Sequence, residues 1–392
     1  MKPSSTTDTA RQISLLIVLS ACGTLSLVTF IWAVLKQPVF NNDFMGIWSF
    51  AQYAVSQPAA GIYDGDQIGA LQHQLFPGLR SIYAFAYPPP FLLAVGWLTK
   101  FSYTSARVIW CGSGMVLLSA AIWALLTPRR RWLGIFASLV APASYINAIG
   151  GETGWFTAAF LLGGFALLPR RPALAGIAFG LLSLKPQLAL LVPFALLGGG
   201  YYRTFLSVTI TVFTLYLTAY LVLPHDVWPA WLNHIAGFQS LELSKALPLT
   251  AIMVTVTANL ITLGLPPAFV TAAQAMTSVT CAVLTFLSFR NGNTRLATAA
   301  LLVGSILATP HGFVYDTIPL TAAMFLYSEA ACITWPILML GLVIYLSPIL
   351  VLTQANQWFL YAVPSALLYL AMLRLAFATP AREIPKYEPN IN

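Results

Sequence analysis

Asn41-Asn42-Asp43-Phe44 follows the first hydrophobic span and lies in the only long polar excursion of the chain, at about residues 36–86. The span before it, residues 13–35, is long enough to cross a bilayer of about 30 Å as a helix. The excursion ends at Ala86-Tyr87-Pro88-Pro89-Pro90, where the sequence becomes apolar again. Asp43 is the first acidic residue outside the N-terminal tail, so we expect it where a membrane helix reaches the surface.

The composition defines the class of protein. Of 392 residues, 58% are hydrophobic and only 8% are charged, whereas a soluble domain is about 25% charged. Apolar runs recur along the whole length, and backbone groups in lipid must be satisfied within each segment, which requires helices. We therefore predict an all-α, polytopic transmembrane bundle that forms a single membrane domain over residues 1–392.

The apolar segments after the excursion predict the remaining helices, and several are too short to cross a bilayer upright. They lie at about 88–100, 104–126, 132–146, 152–168, 172–185, 187–202, 204–223, 266–289, 296–309, 313–328, 332–351 and 357–375. With the first span they make 13, an odd number that cannot leave both basic termini on one side. Either 88–100 is re-entrant or Arg129-Arg130-Arg131 lies outside. We adopt the first interpretation, which gives about 12 crossings, and treat 249–262 as a second re-entrant candidate.

The net charge of +8 comes mostly from short basic clusters between the spans, so it predicts no nucleic-acid partner. Such clusters usually face the cytoplasm. This rule makes residues 1–12 and 376–392 cytoplasmic tails and residues 36–86 and 224–247 extracytoplasmic loops.

Residues 43–56 have the spacing of an amphipathic helix. The apolar face consists of Phe44, Ile47, Trp48, Ala51 and Val55. The pattern predicts a helix lying in the headgroup zone, with Trp48 at the boundary. Asp43 is placed as its N-cap and Pro58 as its end, and Tyr63-Asp64-Gly65-Asp66 is predicted to form a turn.

Charged residues within so apolar a chain are costly, so each is a candidate functional group. Asp43 is either a catalytic base or a plain N-cap. Glu152 is either a polar site residue or the cap of the next helix. Lys185, deep in an apolar run, either binds a phosphate or extends to the interface. His311, after Pro310, either acts in the site or faces the headgroups.

The remaining polar residues suggest ordinary roles. Asp64 and Asp66 are expected to stabilise their turn, and His73, His225 and His234 to lie on the surface. No cluster has the spacing of a metal site, and no nucleotide-binding motif is present. We therefore predict neither a metal nor a cofactor.

The order of these features resembles glycosyltransferase family 87, a polytopic group of the GT-C class that includes mycobacterial polyprenol-phosphate-mannose-dependent mannosyltransferases. The resemblance rests on short motifs in the order expected for the family. They are Asp43-Phe44, Gly61-Ile62-Tyr63-Asp64, Ala86-Tyr87-Pro88-Pro89, Ala175-Gly176 leading into Lys185-Pro186-Gln187, and Pro310-His311. One departure is Gly151-Glu152, where the family often has Gly-Gln.

The resemblance implies a membrane glycosyltransferase that moves a sugar, such as mannose or another hexose or pentose, from a polyprenyl-phosphate donor to a lipid or glycan acceptor. Asp43 would be the general base of an inverting reaction, and Lys185 and His311 would bind the donor phosphate. Trp48, Tyr63, Tyr87 and Glu152 would contact the sugar or acceptor. The implied location is the bacterial cytoplasmic membrane, with the active site facing outside.

Two other classes of function remain open. A transporter or lipid flippase would show paired broken helices in two related halves, and no such repeat is evident in the sequence. A non-catalytic subunit of a membrane assembly would tolerate replacement of Asp43 and Lys185.

Overall fold

The computed structural model describes residues 42–79, 81–243, 252–352 and 360–379, together with four isolated residues before them. Those four are Ala21, Gly23, Thr24 and Val28. Across these residues the fold is all-helical without a β-strand. The predicted tail at 1–12, nearly all of the first span, and residues 380–392 of the predicted tail at 376–392 lie outside the described residues.

The polar excursion folds into short helices rather than a loop. They are α1 (Asp43–Ser56), a 3₁₀ turn (Ala59–Tyr63) and α2 (Gly65–Leu75). The apolar segment after the excursion forms α3 (Pro90–Val95), which continues as a 3₁₀ turn (Gly96–Lys100). The predicted helix at 43–56 is confirmed, and it ends just before Pro58. The predicted turn at Asp64 is instead the start of α2, because the Asp64 side chain accepts hydrogen bonds from the amides of Asp66 and Gln67.

The rest of the chain forms the helical bundle, and each apolar segment predicted from the sequence corresponds to a helix or a broken pair of helices. These helices are α4 (Tyr103–Leu125), α5 (Arg131–Leu139), α6 (Pro142–Gly150), α7 (Gly154–Leu167), α8 (Pro172–Leu181), α9 (Val192–Gly198), α10 (Tyr202–Val222), α11 (Val227–Leu243), α12 (Val256–Thr262), α13 (Pro267–Asn291), α14 (Thr294–Ala308), α15 (Ile318–Ala330), α16 (Trp335–Leu346), α17 (Ile349–Leu352) and α18 (Ala362–Ala378).

Three described helices, α4, α10 and α13, are long and apolar enough to cross a membrane. The pair α5 and α6, bent by 56°, adds a fourth if it is one broken span. Several other apolar helices have only 10–17 residues. The all-helical prediction is confirmed, whereas the count of about 12 crossings stays a prediction.

Helix α14 is the centre of the bundle. Every residue from Leu296 to Ala308 is buried, because α13, α15 and α18 pack around it. Helices α4, α7 and α8 continue the same core on the other side. A helix that is apolar all round is expected in such a position.

A second hydrophobic cluster joins the folded excursion to the end of the bundle. Phe44, on α1, is fully buried and its ring lies 5.6 Å from that of Tyr103 and 6.3 Å from that of Trp110, both on α4. Ile47 and Ala51 are also buried. These three side chains of the apolar face therefore pack against the protein itself, whereas Val55 on the same face is exposed. The position of α1 in the headgroup zone stays a prediction.

Helix α11 packs against the same folded excursion. His234 Nδ1 lies 3.1 Å from the carbonyl oxygen of Tyr63, and the two rings are 5.6 Å apart. His234 is thus part of an internal contact and not the ordinary surface residue that we expected.

The bundle has two chemically different ends. Helix α4 starts at Tyr103, which donates a hydrogen bond to Asn42 beside α1, and it runs 23 residues, about 34 Å, to the arginines at 129–131. Helix α7 likewise runs from Gly154 towards Arg170-Arg171. The excursion therefore covers the end of the bundle opposite these arginine clusters.

At the arginine end, Glu329 joins three elements. Its Oε2 lies 2.7 Å from Arg295 Nη1, and its Oε1 accepts hydrogen bonds from the backbone amide and hydroxyl of Thr127. The Glu329 side chain is 4% exposed, so it is a buried acceptor held by the loop after α4 and by α14.

We expect Glu329→Ala to lower the free energy of unfolding by about 1–3 kcal/mol, because the substitution removes the acceptor of two hydrogen bonds and the partner of Arg295. Thermal unfolding of the detergent-solubilised protein measures the effect. Asp226→Asn is the control, since Asp226 is exposed. Equal melting temperatures for the two variants would show that Glu329 does not hold these elements together.

Candidate active site

Asp43 is the first residue of α1, and Asn42 occupies the N-cap position. Asn42 makes no capping hydrogen bond with its side chain, and its Oδ1 instead accepts one from the Tyr103 hydroxyl at 2.8 Å. The interpretation of Asp43 as a plain N-cap is therefore wrong. As a residue, Asp43 is only partly buried.

Glu152 lies in the turn between α6 and α7 and outside both helices. Its backbone amide and that of Gly151 donate to the carbonyl oxygen of Asn147. From α4, Arg107 donates to the carbonyl of Ile149 at 2.7 Å, and Trp110 donates to that of Gly151 at 3.0 Å. Glu152 does not cap α7, whose N-cap position is taken by Thr153.

The turn brings the Glu152 side chain beside that of Asp43. Both lie over Gly150, where an added Cβ would be 3.0 Å from Glu152 Cγ and 3.4 Å from Asp43 Oδ2. Burial, and then the neighbouring charge of Asp43, raise the pKa of Glu152 well above its usual range. The charge of Lys185 opposes this shift.

Lys185 lies in the break between α8 and α9, with its Nζ 2.7 and 2.8 Å from the two carboxylate oxygens of Asp316. Both residues are buried. Asp316 is fixed in turn because its Oδ2 accepts a hydrogen bond from the backbone amide of Phe313. The interpretation that Lys185 extends to the interface is therefore wrong, since its charge is matched inside the protein.

Aromatic side chains surround these charges. Lys185 Nζ lies 4.8 Å from the centre of the Tyr315 ring. Tyr87 stacks on Phe91 at 3.9 Å, and burial, followed by the Glu152 charge, raises the pKa of Tyr87. Burial and the charges of Asp43 and Glu152 similarly raise the pKa of Tyr83.

Two predicted sugar contacts lie behind this layer. The Tyr63 hydroxyl donates to the backbone carbonyl of Tyr87 at 2.9 Å, so Tyr63 supports the site residue. The Trp48 ring packs against those of Phe76 and Tyr103.

His311 lies in the loop between α14 and α15, where Thr309 Oγ1 donates a hydrogen bond to its carbonyl oxygen. Phe313, two residues further on, has its ring centre 5.7 Å from Lys185 Nζ. The main chain at His311 thus leads into the site, and a role for its imidazole stays a prediction.

The charge of Asp43 acts on both Glu152 and Tyr87, and the charge of Lys185 acts on Glu152, so these four residues are neighbours. Their roles in a site stay predictions. The sequence analysis missed Asp316, which pairs with Lys185. One signal was available, because a lysine deep in an apolar run requires a counterion and acidic residues are few. Among the described residues, no group of three or more His, Cys, Asp or Glu could hold a metal ion.

Residues 85–310 match the sequence profile of glycosyltransferase family 87. The match covers more than half of the chain, and the chain therefore belongs to this family. It includes Tyr87, Glu152 and Lys185, whereas Asp43 and Asp316 lie outside the matched residues, Asp43 well before them and Asp316 shortly after them. No curated protein and no solved structure matches the chain significantly. Family membership implies glycosyltransferase activity, and together with the apolar helices it indicates a membrane protein.

We expect Lys185→Met and Asp316→Asn each to lower the free energy of unfolding by about 3–5 kcal/mol, because each leaves one buried partner unpaired. The double variant should lose clearly less than the sum of the two, since it leaves neither charge alone. Thermal unfolding in detergent measures all four proteins. Additive losses would contradict a direct interaction between the two side chains.

Gly151 has a φ of 70°, and a Cβ there would lie 2.5 Å from Phe44 Cβ. We expect Gly151→Ala to displace α1 and to reduce sugar transfer as well as stability. Gly200→Ala is the matched control, because Gly200 has a φ of 71° with nothing within 4 Å of an added Cβ. Its backbone strain of about 1–2 kcal/mol should be similar, so equal effects of the two variants would contradict a role for the Phe44 contact.

Proposed function

We propose that this glycosyltransferase moves a sugar from a polyprenyl-phosphate donor to an extracytoplasmic lipid or glycan acceptor, with inversion of configuration and with Asp43 as the general base. The supporting observation is the meeting of a partly exposed carboxyl group, Asp43, with a buried acid and a buried cation at one end of the bundle. Such a set can accept a proton and stabilise developing negative charge in one place.

The reaction is a single displacement. The acceptor hydroxyl gives its proton to the Asp43 carboxylate as its oxygen attacks the anomeric carbon from the face opposite the phosphate. The bond between that carbon and the phosphate oxygen breaks, and its electron pair leaves with the polyprenyl phosphate. Attack from the opposite face inverts the configuration.

The leaving phosphate needs positive charge, and Lys185 and His311 are the candidates. Asp316 already takes two contacts of the Lys185 ammonium, which has three N–H donors. The ion pair would therefore hold Lys185 in a fixed position, with a donor left for a phosphate oxygen. A preorganised cation of this kind costs no rearrangement during the reaction.

The sugar and acceptor would lie against the aromatic layer. Tyr87 is the candidate on which the charges of Glu152 and Asp43 both act. Tyr63 and Trp48 would support that layer from behind. The donor sugar is a hexose, with mannose as the first choice, or a pentose.

The orientation follows from the two ends of the bundle. Arginine clusters usually face the cytoplasm, and the carboxyl groups lie at the end opposite the clusters at 129–131 and 170–171. The site would therefore face outside, in a bacterial cytoplasmic membrane.

A transporter or lipid flippase is the second candidate. The buried pair Lys185–Asp316 favours it, because intramembrane ion pairs often mark transport pathways. Because a transporter or flippase transfers no sugar to an acceptor, it would need neither an acceptor nor Asp43 as a base.

The test uses membranes that contain the wild type, Asp43→Asn or Asp64→Asn, each supplied with labelled polyprenyl-phosphate sugars. We expect transfer of label by the wild type, and a loss of about 10²-fold or more in Asp43→Asn, because general bases contribute rates of that size. Asp64→Asn is the control, since Asp64 caps α2 in the same excursion without entering the site.

Transfer by Asp43→Asn at the wild-type rate would rule out Asp43 as the base. If neither an added donor nor an added acceptor produces transfer, flipping of labelled polyprenyl-phosphate sugar across vesicles is measured with the same proteins. Flipping without transfer would replace the proposed reaction by transport.

A further inference from the structure

The close approach of the Asp43 and Glu152 side chains, which both lie over Gly150, has a chemical requirement. An ionised carboxylate has only acceptor atoms, so two carboxyl groups can hydrogen-bond to each other only if one of them carries a proton. Like charges at that distance also resist joint ionisation. The contact between these two groups therefore requires one proton in the pair.

The surroundings add to this requirement. The charge of Lys185 acts on Glu152, but it is matched by Asp316 at 2.7 Å. With all four groups ionised, the cluster of Asp43, Glu152, Asp316 and Lys185 would carry a net charge of −2. A proton on the pair reduces this to −1, which also makes the approach of an anionic donor less unfavourable.

The two carboxyl groups are not equivalent. Glu152 is 6% exposed, and burial disfavours the charged form of an acid. Asp43 is partly exposed and occupies the first position of α1, where the helix dipole favours a negative charge. The proton therefore belongs on Glu152, and the negative charge on Asp43.

We propose that Glu152 is a positioning residue that stays protonated and donates its carboxylic hydrogen to the Asp43 carboxylate, so that the pair works with one proton. The inference rests on the proposed function, in which Asp43 is the base. One Asp43 oxygen is held by Glu152, and the other is left to face the acceptor hydroxyl.

The proton balance of one cycle is simple. The pair starts with one proton, on Glu152. Asp43 then takes the acceptor proton, so the pair holds two when the new glycosidic bond has formed. One proton leaves to water before the next cycle. The active form of the pair carries one proton. It gains a second proton as the pH falls and loses its proton as the pH rises.

The dependence on pH follows from these two steps. At low pH Asp43 is neutral and cannot accept a proton. At high pH Glu152 ionises, the hydrogen bond is lost and two charges face each other, so the rate falls again. The other titratable or charged groups around the pair are Tyr83, Tyr87, Tyr315, Lys185 and Asp316.

The test compares the pH profiles of the wild type, Glu152→Gln and Glu152→Ala in the sugar-transfer assay. Glutamine still donates a hydrogen bond but cannot ionise, so we expect the decline at high pH to disappear while the rate at the optimum falls by no more than about tenfold. Alanine removes the donor, and we expect a loss of about 10²-fold, as for a misplaced catalytic group. Profiles of the same shape in the wild type and Glu152→Gln, or equal losses in both variants, would overturn the inference.

Infrared difference spectra of the detergent-solubilised protein supply a measurement independent of activity. We expect the carbonyl band of a protonated carboxylic acid in the wild type and in Asp43→Asn, and its loss in Glu152→Gln. A band that persists in Glu152→Gln would overturn the inference even if transfer follows the proposal. Absence of transfer in every protein, with the band as expected, would instead overturn the proposed function and leave the protonation of Glu152 standing.

Discussion

A charge that leaves water needs a partner, and the ion pair between Lys185 and Asp316 meets this constraint in the centre of the site. The pair joins the break after α8 to the loop before α15, which lie 131 residues apart in sequence. Removing two ions from water is costly, and an ion pair in the interior offsets that cost only when its geometry is good. Both carboxylate oxygens of Asp316 contact the ammonium group, and a backbone amide holds the carboxylate in place. The position of the site therefore depends on two breaks in helices that are otherwise apolar.

The sequence predicted the helices well because the segments are long, apolar and separated by arginines or prolines. The sequence was less informative about how deeply each helix is buried in the bundle. The short helices α7 and α14 were visible as short segments, but their burial depends on neighbours that no local pattern reveals. The amphipathic pattern of α1 was also identified correctly. What the pattern could not show is that Tyr103 and Trp110, on α4, would pack against Phe44 of that face.

Some residues of the candidate site could also be selected from the sequence. Asp43, Glu152 and Lys185 were evident because charge is rare in this chain, so an exhaustive search over acidic residues was short. The pairing of Lys185 with Asp316 was not evident, since it is a long-range contact. His234 was assigned to the surface because its partner, the carbonyl of Tyr63, is a backbone atom that leaves no mark in the sequence.

The carboxyl groups come from two separately packed parts of the molecule, and this explains why the turn at Gly150-Gly151 matters. Asp43 belongs to the folded excursion, which has its own hydrophobic cluster, whereas Glu152 follows a helix of the bundle. A side chain at Gly151 would overlap Phe44, which is the neighbour of Asp43. The absence of a side chain there allows α1 to approach the turn closely enough for the two acidic side chains to lie side by side over Gly150. Arg107 and Trp110 hold the turn from the opposite side through backbone carbonyls, so the meeting of the two acids follows from how the excursion docks on the bundle.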